Sequence, residues 1–363
     1  MDRKTLLLCG GGTGGHIYPA VAIAHEMERG APDWRVIYAG TPGGLEAELI
    51  PREGIPFFTV RGGGILGKRP KALLRGLGRT LNGLGDARRL LREQRPSLVL
   101  GTGGYASFPV LLAAWTVGIP CMIHEQNAHP GMANRIANLW AVHTLITFPD
   151  SGRGFLRRGT LVRTGLPVRS GFAPTTEGPR SGAKDHLLVT GGSQGSRRLN
   201  GLVFEALPAL LAAGWRITII TGTGEYESFL ARIRGEGIEP TSLEILPYCR
   251  EMPALLAQTT LAISRAGASF LAELNVAGVP AVLIPLEHAA GNHQFQNARC
   301  QEAAGAARVF RGDSGKELIG LIESLDRESL AEMAARSREM GTPGAAEEIV
   351  ALVRGMADGG SDR

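Results

Sequence analysis

Short apolar runs of four to six residues alternate with helix-like stretches along nearly the whole chain, and this alternation constrains the fold most. Such runs, each followed by a helical stretch, are typical of βα units with parallel strands. The predicted strands are residues 5–9, 35–38, 97–100, 120–124, 144–148, 187–190, 216–221, 261–264 and 280–285. A chain of 363 residues is long enough to bury two cores. The pattern therefore predicts an α/β protein with two parallel sheets.

A stretch rich in proline and glycine, residues 165–185, interrupts the alternation and predicts a linker. We expect one Rossmann-like domain at 1–165, a second at 166–340, and a C-terminal helix with a frayed tail at 341–363 that packs back on the N-terminal domain. Both halves carry glycine turns directly after predicted strands, which indicates two similar doubly wound domains facing across a cleft. Ligands bind outside the carboxyl ends of parallel strands, so we expect the site in that cleft.

Five glycines and Thr13 fill positions 10–15, between a predicted strand and a predicted helix, and His16 follows them. Glycine lets the backbone approach an anion, and the N–H groups at a helix start favour negative charge. We expect a diphosphate here. The spacing also fits a dinucleotide site, but the second predicted strand ends in Ala39 and Gly40 instead of an acidic residue that would hold a ribose. The plain alternative is a turn that only packs the strand against the helix.

Four more clusters follow predicted strands, at the edge where a sheet enzyme keeps its site. They are Gly103-Gly104-Tyr105, the segment 124–127, the glycine turn 191–195, and Arg265 to Ala268 with Glu273. His124 and Glu125 could form a metal pair, but no further ligands follow at metal spacing, so a satisfied hydrogen-bond network is the favoured interpretation. The sequence also lacks an Asp-x-Asp clamp. We therefore expect neither a metal nor a cofactor.

Charge is unevenly distributed along the chain. Residues 1–168 hold 20 basic and 11 acidic side chains, and the remaining residues hold 19 and 23. Ten basic side chains between Arg61 and Arg95, interleaved with leucines, fit a helix lying on anionic lipid. A solvated basic face is equally open. The same stretch has no aromatic residue to stack on bases, which disfavours nucleic acid as a partner.

Further features bear on location. The four cysteines are far apart and form no Cys-x-x-Cys, as expected in a reducing cytoplasm. The first apolar run ends in glycine after about five residues, which is short for an export signal. No apolar stretch reaches the ~18 residues of a spanning helix. We therefore expect any membrane contact to be peripheral.

Taken together, the motifs resemble the family of bacterial glycosyltransferases that add N-acetylglucosamine to the lipid-linked muramoyl-pentapeptide of peptidoglycan. The segments that carry the resemblance are, in the family's order, 11–16, 44–46, 124–128, 130–131, 191–195, 265–268 and 293–294. The resemblance implies the twin-Rossmann glycosyltransferase fold, nucleotide binding without a metal, and a peripheral position on the cytoplasmic side of the cell membrane. Three positions depart from the family pattern, namely Leu166, Phe270 and Gly291.

The resemblance also implies roles for individual residues. The UDP-sugar would contact Thr13, Gly14, Gly15, Asn127, Arg169, Ser193, Cys249, Arg265, Ala268, Glu273 and Gln294. Among these, Ser193 would meet the phosphates, Glu273 the ribose and Gln294 the sugar, while the backbone at Cys249 would read uracil. The diphosphate of the lipid acceptor would use Gly14, Gly15, Gly103, Gly104 and the neighbouring Tyr105.

The family's product is a β-1,4 linkage made from an α-linked donor, so one inverting displacement suffices. A base takes the proton of the acceptor 4-hydroxyl, and His16 is the candidate because an imidazole takes up a proton near neutral pH. Glu125 is the alternative, and His16 as a mere hydrogen-bond donor is equally open. The leaving diphosphate would be stabilised by N–H dipoles and Arg265.

Three other functions remain as alternatives. They are a glycosyltransferase of the same fold with another nucleotide sugar or a soluble acceptor, an NAD-dependent oxidoreductase, and a non-catalytic protein that binds nucleotide sugars. The partners expected from the leading hypothesis are UDP-N-acetylglucosamine, the polyprenyl-diphosphate-linked muramoyl-pentapeptide, an anionic membrane surface and other wall-synthesis proteins.

Overall fold

The computed structural model describes residues 3–62, 70–157, 160–169, 171–172, 186–192, 194–238, 241–286 and 292–358. Only the backbone is described for residues 70–81 and 357–358. The chain divides into two compact units. The first unit comprises Met1–Ser170 with Gly344–Arg363, and the second comprises Gly171–Pro343. Much of the predicted linker, residues 170 and 173–185, and the end of the predicted tail, residues 359–363, lie outside the described residues.

The first unit alternates strands and helices. Its strands are β1 (Lys4–Gly10), β2 (Trp34–Gly40), β3 (Phe57–Thr59), β4 (Leu98–Gly103), β5 (Cys121–Glu125), β6 (His143–Ile146) and β7 (Leu161–Arg163). Its helices are α1 (Gly14–Gly30), α2 (Glu46–Arg52), α3 (Pro70–Gln94), α4 (Ser107–Thr116) and α5 (Met132–Ala137), with a short 3-10 helix at Pro149–Gly154.

The second unit has the same alternation. Its strands are β8 (His186–Thr190), β9 (Arg216–Ile220), β10 (Leu243–Leu246), β11 (Leu261–Ser264), β12 (Ala281–Leu283) and β13 (Ala307–Val309). Its helices are α6 (Arg197–Ala212), α7 (Tyr226–Gly235), α8 (Met252–Leu256), α9 (Ala268–Ala277), α10 (His293–Ala303), α11 (Gly315–Glu323) and α12 (Arg327–Met340). A last helix, α13 (Ala345–Asp358), returns to the first unit.

Both sheets are parallel and have the same strand order. The first sheet has the order β3-β2-β1-β4-β5-β6-β7, and the second has β10-β9-β8-β11-β12-β13, without a counterpart of β7 among the described residues. In each sheet the first three strands of the unit run outward in one direction from its first strand, and the later strands run outward in the other. In β1 the side chains of Leu6 and Leu8 enter one apolar core while those of Leu7 and Cys9 enter another. A parallel sheet covered on both faces needs such continuous apolar strands. The predicted fold class, two Rossmann-like α/β domains, is confirmed.

The apolar runs did not predict four of the strands, namely β3, β7, β10 and β13. Each lies at an edge of its sheet and has only three or four residues. An edge strand pairs on one side alone and is half-buried, so its sequence carries little of the apolar signal that marks a central strand.

Helix α13 packs against α1 in the first unit. Ile349, Val350 and Val353 are buried in the core that also holds Ile17 and Ile23. The Arg354 guanidinium donates to the carbonyl of Gly30, 3.2 Å away. The end of the chain therefore contributes to the core beneath the first glycine turn. Within the described residues, no helix is long and apolar enough to span a bilayer.

Candidate active site

The turn between β1 and α1 carries the glycine run. Gly11 and Gly12 have φ values of +149° and +90°, which favour glycine, and α1 begins at Gly14 after the extended Thr13. The first turn of α1 has no acidic side chain. The N–H groups of Gly14 and Gly15 thus lie at a helix start, where backbone dipoles favour an anion.

A second glycine turn, between β4 and α4, lies directly against the first. A Cβ on Gly104 would lie 2.2 Å from the carbonyl oxygen of Gly11, and one on Gly103 would lie 2.9 Å from His16 Nδ1. Both glycines have positive φ, +95° for Gly103 and +86° for Gly104. Tyr105 follows with 60% of its surface exposed. The structure therefore brings the sequence-predicted acceptor residues together at one edge of the sheet.

The buried carboxylate of Glu46 stabilises the first glycine turn through hydrogen bonds. It accepts hydrogen bonds from the Gly12 N–H at 3.0 Å and from the N–H and hydroxyl of Thr41 at 3.0 and 2.7 Å. Burial alone would raise the pKa of the Glu46 carboxyl, but these donors outweigh burial and lower it. The sequence motif containing Glu46 gave no role for this side chain, because its partner Gly12 lies 34 residues away.

His16 lies at the start of α1 with its Nδ1 atom facing two oxygens. The carbonyl oxygen of Thr102 is 2.9 Å away and Oε1 of Gln126 is 3.1 Å away. The Thr102 hydroxyl in turn donates to the carbonyl of His16 at 2.8 Å. These contacts fix the ring against the ends of β4 and β5. Sequence reasoning missed Thr102 and gave no individual role to Gln126.

Glu125 ends β5 and is 1% exposed. Its Oε1 accepts from the N–H of Asn127 at 2.9 Å and from the amide of that side chain at 3.2 Å. Its Oε2 accepts from the Gly131 N–H at 3.0 Å and from the Asn134 amide at 2.9 Å. The carboxylate therefore organises the loop after β5 and orients Asn127.

His124, next to Glu125, is fully buried. Its Nε2 lies 2.8 Å from the carbonyl oxygen of Gly165. Burial, with a further contribution from the charge of His16, lowers the pKa of His124 to about 4. Both side chains of the pair are thus held by hydrogen bonds within the first unit.

The second unit repeats the arrangement of two adjoining glycine turns. A Cβ on Gly222 would lie 2.6 Å from the Cα of Gly195, and both residues have positive φ. The Arg265 guanidinium donates to the carbonyl of Gly195 and to Oε1 of Gln294, each at 3.4 Å, and the same Oε1 accepts from the Leu286 N–H at 3.0 Å. The sequence-predicted residues Arg265 and Gln294 therefore lie together beside the glycine turn.

Burial lowers the pKa of the Arg265 guanidinium, and guanidinium groups remain protonated in proteins. Helix α9 begins at Ala268, and Glu273 is buried about one turn further along that helix. Cys249 lies between β10 and α8 and is partly exposed. The predicted phosphate-binding residue Ser193 lies outside the described residues.

Arg169 lies in the first unit, although its expected ligand is the nucleotide. Its guanidinium stacks 5.1 Å above the ring of Tyr18 in α1, a cation–π contact. This contact joins Arg169, near the end of the first segment of the first unit, to the helix that carries His16.

Comparison with known proteins identifies the family. The profile of the glycosyltransferase family 28 N-terminal domain matches residues 6–146, and that of the family's C-terminal domain matches residues 186–349. The chain belongs to glycosyltransferase family 28. These two family 28 domains correspond to the two parallel sheets described above.

Relatives within the family share nearly the whole length of this chain. A UDP-N-acetylglucosamine–N-acetylmuramyl-(pentapeptide) pyrophosphoryl-undecaprenol N-acetylglucosamine transferase of Moorella thermoacetica is 39% identical over 98% of this chain and 100% of its own. A protein of the same name from Desulfitobacterium hafniense is 40% identical over 95% of this chain and 97% of its own.

Solved structures show the same fold. The crystal structure of Acinetobacter baumannii MurG has a TM-score of 0.78 and 29% identity, and the match covers 97% of this chain and 99% of that one. The calicheamicin glycosyltransferase CalG4 has a TM-score of 0.70 at 18% identity, over 97% of this chain and 98% of its own. At that identity the likeness to CalG4 establishes the fold alone.

Proposed function

We propose that this chain transfers N-acetylglucosamine from UDP-N-acetylglucosamine to the 4-hydroxyl of the muramoyl sugar of a polyprenyl-diphosphate-linked muramoyl-pentapeptide, with inversion at the anomeric carbon. The product is the lipid-linked disaccharide precursor of peptidoglycan. The observation that carries this proposal is the 39% identity, over 98% of this chain, to the Moorella thermoacetica transferase with that named activity. The weaker likeness to CalG4 does not favour another sugar or acceptor, since it concerns the fold alone.

The two edges lined by glycine turns support the proposal chemically. The reaction needs two diphosphates to be held, one in the UDP-sugar and one in the lipid acceptor. Each unit has an edge where paired glycine turns lie beside a helix start, and the N–H groups of a helix start favour an anion. We assign the acceptor diphosphate to Gly14, Gly15, Gly103 and Gly104, and the donor diphosphate to the turn at Gly195 with Arg265.

His16 is the proposed base. Its ring lies against Gly103, where we place the acceptor, whereas the Glu125 carboxylate accepts hydrogen bonds from the loop after β5 and from Asn134 in α5. In the displacement, the 4-hydroxyl oxygen bonds to the anomeric carbon as that carbon releases UDP with the bonding electron pair. The hydroxyl proton passes to the imidazole, and Arg265 with the backbone dipoles stabilises the charge that develops on UDP.

For the remaining donor contacts we retain the roles that the resemblance implies. Glu273 holds the ribose hydroxyls, Gln294 the sugar, and the backbone at Cys249 the uracil. The set of proposed donor contacts is completed by Ala268, Asn127, Thr13, Gly14, Gly15, Arg169 and Ser193.

We further propose that the first unit lies on the anionic surface on the cytoplasmic side of the membrane. Arg88 and Arg92 in α3, together with Arg95 just after it, line a surface cavity of about 290 Å³ with Leu91 and Val117. Val117 is 54% exposed, and the nearby Trp115, in α4, is 53% exposed. Arginines around exposed apolar side chains suit the boundary between lipid headgroups and acyl chains.

A transfer assay tests the proposed activity. Purified protein receives UDP-N-acetylglucosamine or UDP-glucose, labelled in the sugar, and a short-chain polyprenyl-diphospho-muramoyl-pentapeptide, with and without EDTA. We expect label to enter the lipid from UDP-N-acetylglucosamine alone, and EDTA to leave the rate unchanged. Absence of transfer, or transfer to a soluble muramoyl-pentapeptide at an equal rate, would overturn the proposal.

Vesicle sedimentation tests the membrane proposal. We expect Arg88→Ala/Arg92→Ala to weaken binding to vesicles that contain phosphatidylglycerol, because the double substitution removes two charges near the exposed side chains of Val117 and Trp115. The matched variant Arg216→Ala/Arg308→Ala removes two exposed charges from the second unit and should bind as the wild type does. Equal binding by both double variants would contradict the proposed surface.

A further inference from the structure

The side chain of Gln126 lies between two histidines and is 1% exposed. Its Nε2 atom lies 2.7 Å from the carbonyl oxygen of Thr102 and 3.4 Å from that of His124. A carbonyl oxygen only accepts hydrogen bonds, so the amino group of Gln126 must occupy this side. Its Oε1 atom is then the one that faces His16 at 3.1 Å.

This orientation determines which nitrogen of a neutral His16 carries the proton. Nδ1 of His16 faces Oε1 of Gln126 and, at 2.9 Å, the carbonyl oxygen of Thr102. Both partners are acceptors, so Nδ1 must be the donor. The lone pair of the neutral ring therefore lies on Nε2, the nitrogen that a base uses in the reaction proposed above.

His124 holds Gln126 from the other side. Its Nε2 lies 2.8 Å from the carbonyl oxygen of Gly165 and donates to it, which leaves the lone pair of the neutral ring on Nδ1. That lone pair accepts from Nε2 of Gln126 at 3.3 Å. A protonated His124 would instead present a second N–H to the amino group of Gln126. The lowering of the pKa of His124 to about 4 by burial is consistent with a neutral ring.

We infer that Gln126 is a positioning residue that keeps the proton of neutral His16 on Nδ1, and that the buried ring of His124 fixes the orientation of the Gln126 amide. The inference rests on the proposed function, in which His16 is the base. In the reaction step the acceptor proton binds Nε2 of His16. The Nδ1–H stays on the ring and continues to donate to Thr102 and Gln126, so no proton moves along the chain of side chains.

The substitution Gln126→Met tests this inference, because methionine has a similar volume and no amide. The protein is labelled with ¹⁵N-histidine, and two-bond ¹H–¹⁵N correlation spectra report the protonation of each ring nitrogen. The chain has eight histidines, and a His16→Ala spectrum identifies the signals of His16. Asn138→Leu serves as the matched control, because Asn138 is also fully buried and hydrogen-bonded in the first unit but contacts neither histidine.

In the wild type we expect His16 as the Nδ1–H tautomer. In Gln126→Met we expect a mixture of both tautomers and a kcat lowered about 10- to 100-fold, with both KM values within about twofold. Loss of tautomer control in a catalytic triad costs up to ~10⁴-fold, and the loss here is smaller because Thr102 still accepts from Nδ1. Asn138→Leu should change neither the tautomer nor kcat.

Several outcomes would overturn the inference. They are a wild-type His16 with its proton on Nε2, a Gln126→Met variant that keeps the Nδ1–H tautomer, or the same loss of kcat in Asn138→Leu. The first readout does not depend on Gln126→Met, so it holds even if that variant fails to fold. A wild type without transferase activity would instead refute the proposed function, while the tautomer spectra would still report on the role of Gln126.

Discussion

Two buried glutamates of the first unit, Glu46 and Glu125, hold neighbouring segments in place through hydrogen bonds. Glu46 accepts hydrogen bonds from the β1–α1 turn and the segment after β2, and Glu125 accepts three from the loop after β5 and one from Asn134 in α5. Both oxygens of the Glu125 carboxylate already accept hydrogen bonds from neighbouring donors, whereas the ring of His16 lies against Gly103. At the scale of the residue, this difference in contacts is our reason for proposing His16 as the base.

We predict that Glu125→Gln lowers the free energy of unfolding by about 2 kcal/mol, because the new amino group would face N–H donors of the loop. Urea denaturation measures this loss. The control Glu28→Gln, at an exposed position of α1, should change the free energy by less than about 0.5 kcal/mol. If Glu125 were the base, the acidic limb of the pH profile of kcat would disappear in Glu125→Gln, and this result would contradict our assignment.

A second prediction separates the proposed base, His16, from the proposed donor contact, Glu273. His16→Ala should lower kcat about 10²- to 10⁴-fold, the usual contribution of a general base, with little change in KM. Glu273→Ala should mainly raise the KM for UDP-N-acetylglucosamine, because it removes contacts made in both the ground state and the transition state. Steady-state kinetics with both substrates varied distinguish the two effects. Unchanged turnover of His16→Ala at saturating substrates would exclude it as the base.

At the scale of the element, the candidate site depends on turns that touch through their backbones. Since β1 and β4 are neighbours in the first sheet, their following turns meet, and Gly104 lies against Gly11. The same relation joins Gly195 and Gly222 after β8 and β9 in the second sheet. A side chain at such a contact would separate the two turns and displace the N–H groups they present.

We predict that Gly104→Ala lowers kcat/KM for the lipid acceptor about 100-fold, since a displacement of about 1 Å at a binding edge has that effect. Its Cβ would lie 2.2 Å from the Gly11 carbonyl oxygen. Gly118→Ala is the matched control, because Gly118 also has a positive φ, +76°, but its Cβ would meet no atom within 4 Å. Equal activity of the two variants would show that the contact between the turns is unimportant.

The packing of α13 on α1 provides a prediction of stability. Ile349→Ala should lower the free energy of unfolding of the first unit by about 3 kcal/mol, because Ile349 is fully buried in that core. The control Glu347→Ala, on the same helix, removes an exposed ion pair with Arg29 and should cost less than about 1 kcal/mol. Thermal and urea unfolding measure both. Similar losses in the two variants would mean that α13 contributes little to the core.

At the scale of the whole molecule, each unit contains a buried histidine, His124 in the first and His186 in the second. In the second unit, Nε2 of His186 lies 2.9 Å from the hydroxyl oxygen of Thr218. Burial, and then the charge of Arg216, lowers the pKa of His186 to about 4, as burial does for His124 in the first unit. Both folded-state values lie below the ~6.5 of an unfolded histidine.

Stability should therefore fall on acidification. Below about pH 6.5 these histidines bind protons in the unfolded chain but not in the folded units. The contribution of each histidine to the free energy of unfolding is therefore lost between about pH 6.5 and pH 4. A difference of about 2.5 pKa values corresponds to about 3 kcal/mol per histidine. Urea unfolding of the wild type and of His186→Gln from pH 7 to 4.5 measures this, with the exposed His25→Gln as control. Equal pH dependence in the wild type and His186→Gln would contradict the assignment.

The order and identity of the central elements followed from local sequence. The runs at 5–9 and 187–190 became β1 and β8 within one residue at each end, and a glycine turn follows each of them. A central parallel strand needs a continuous apolar run, and a turn with positive φ needs glycine. Both requirements are met by residues that are neighbours in the sequence. The sequence alone was therefore enough to predict the fold class and to reveal the resemblance to the family.

Tertiary structure decided which side chains meet at the candidate site. The contacts of His16 reach Thr102 and Gln126, 86 and 110 residues away, and that of Gly12 reaches Glu46, 34 residues away. These pairs adjoin because the strand order places the ends of β1, β2, β4 and β5 side by side. A polar residue type indicates that a buried group needs a partner, but only the geometry of the sheet selects that partner. For this reason the sequence predicted His16 and Glu125 as candidate bases but not their hydrogen-bond partners, which only the folded unit shows.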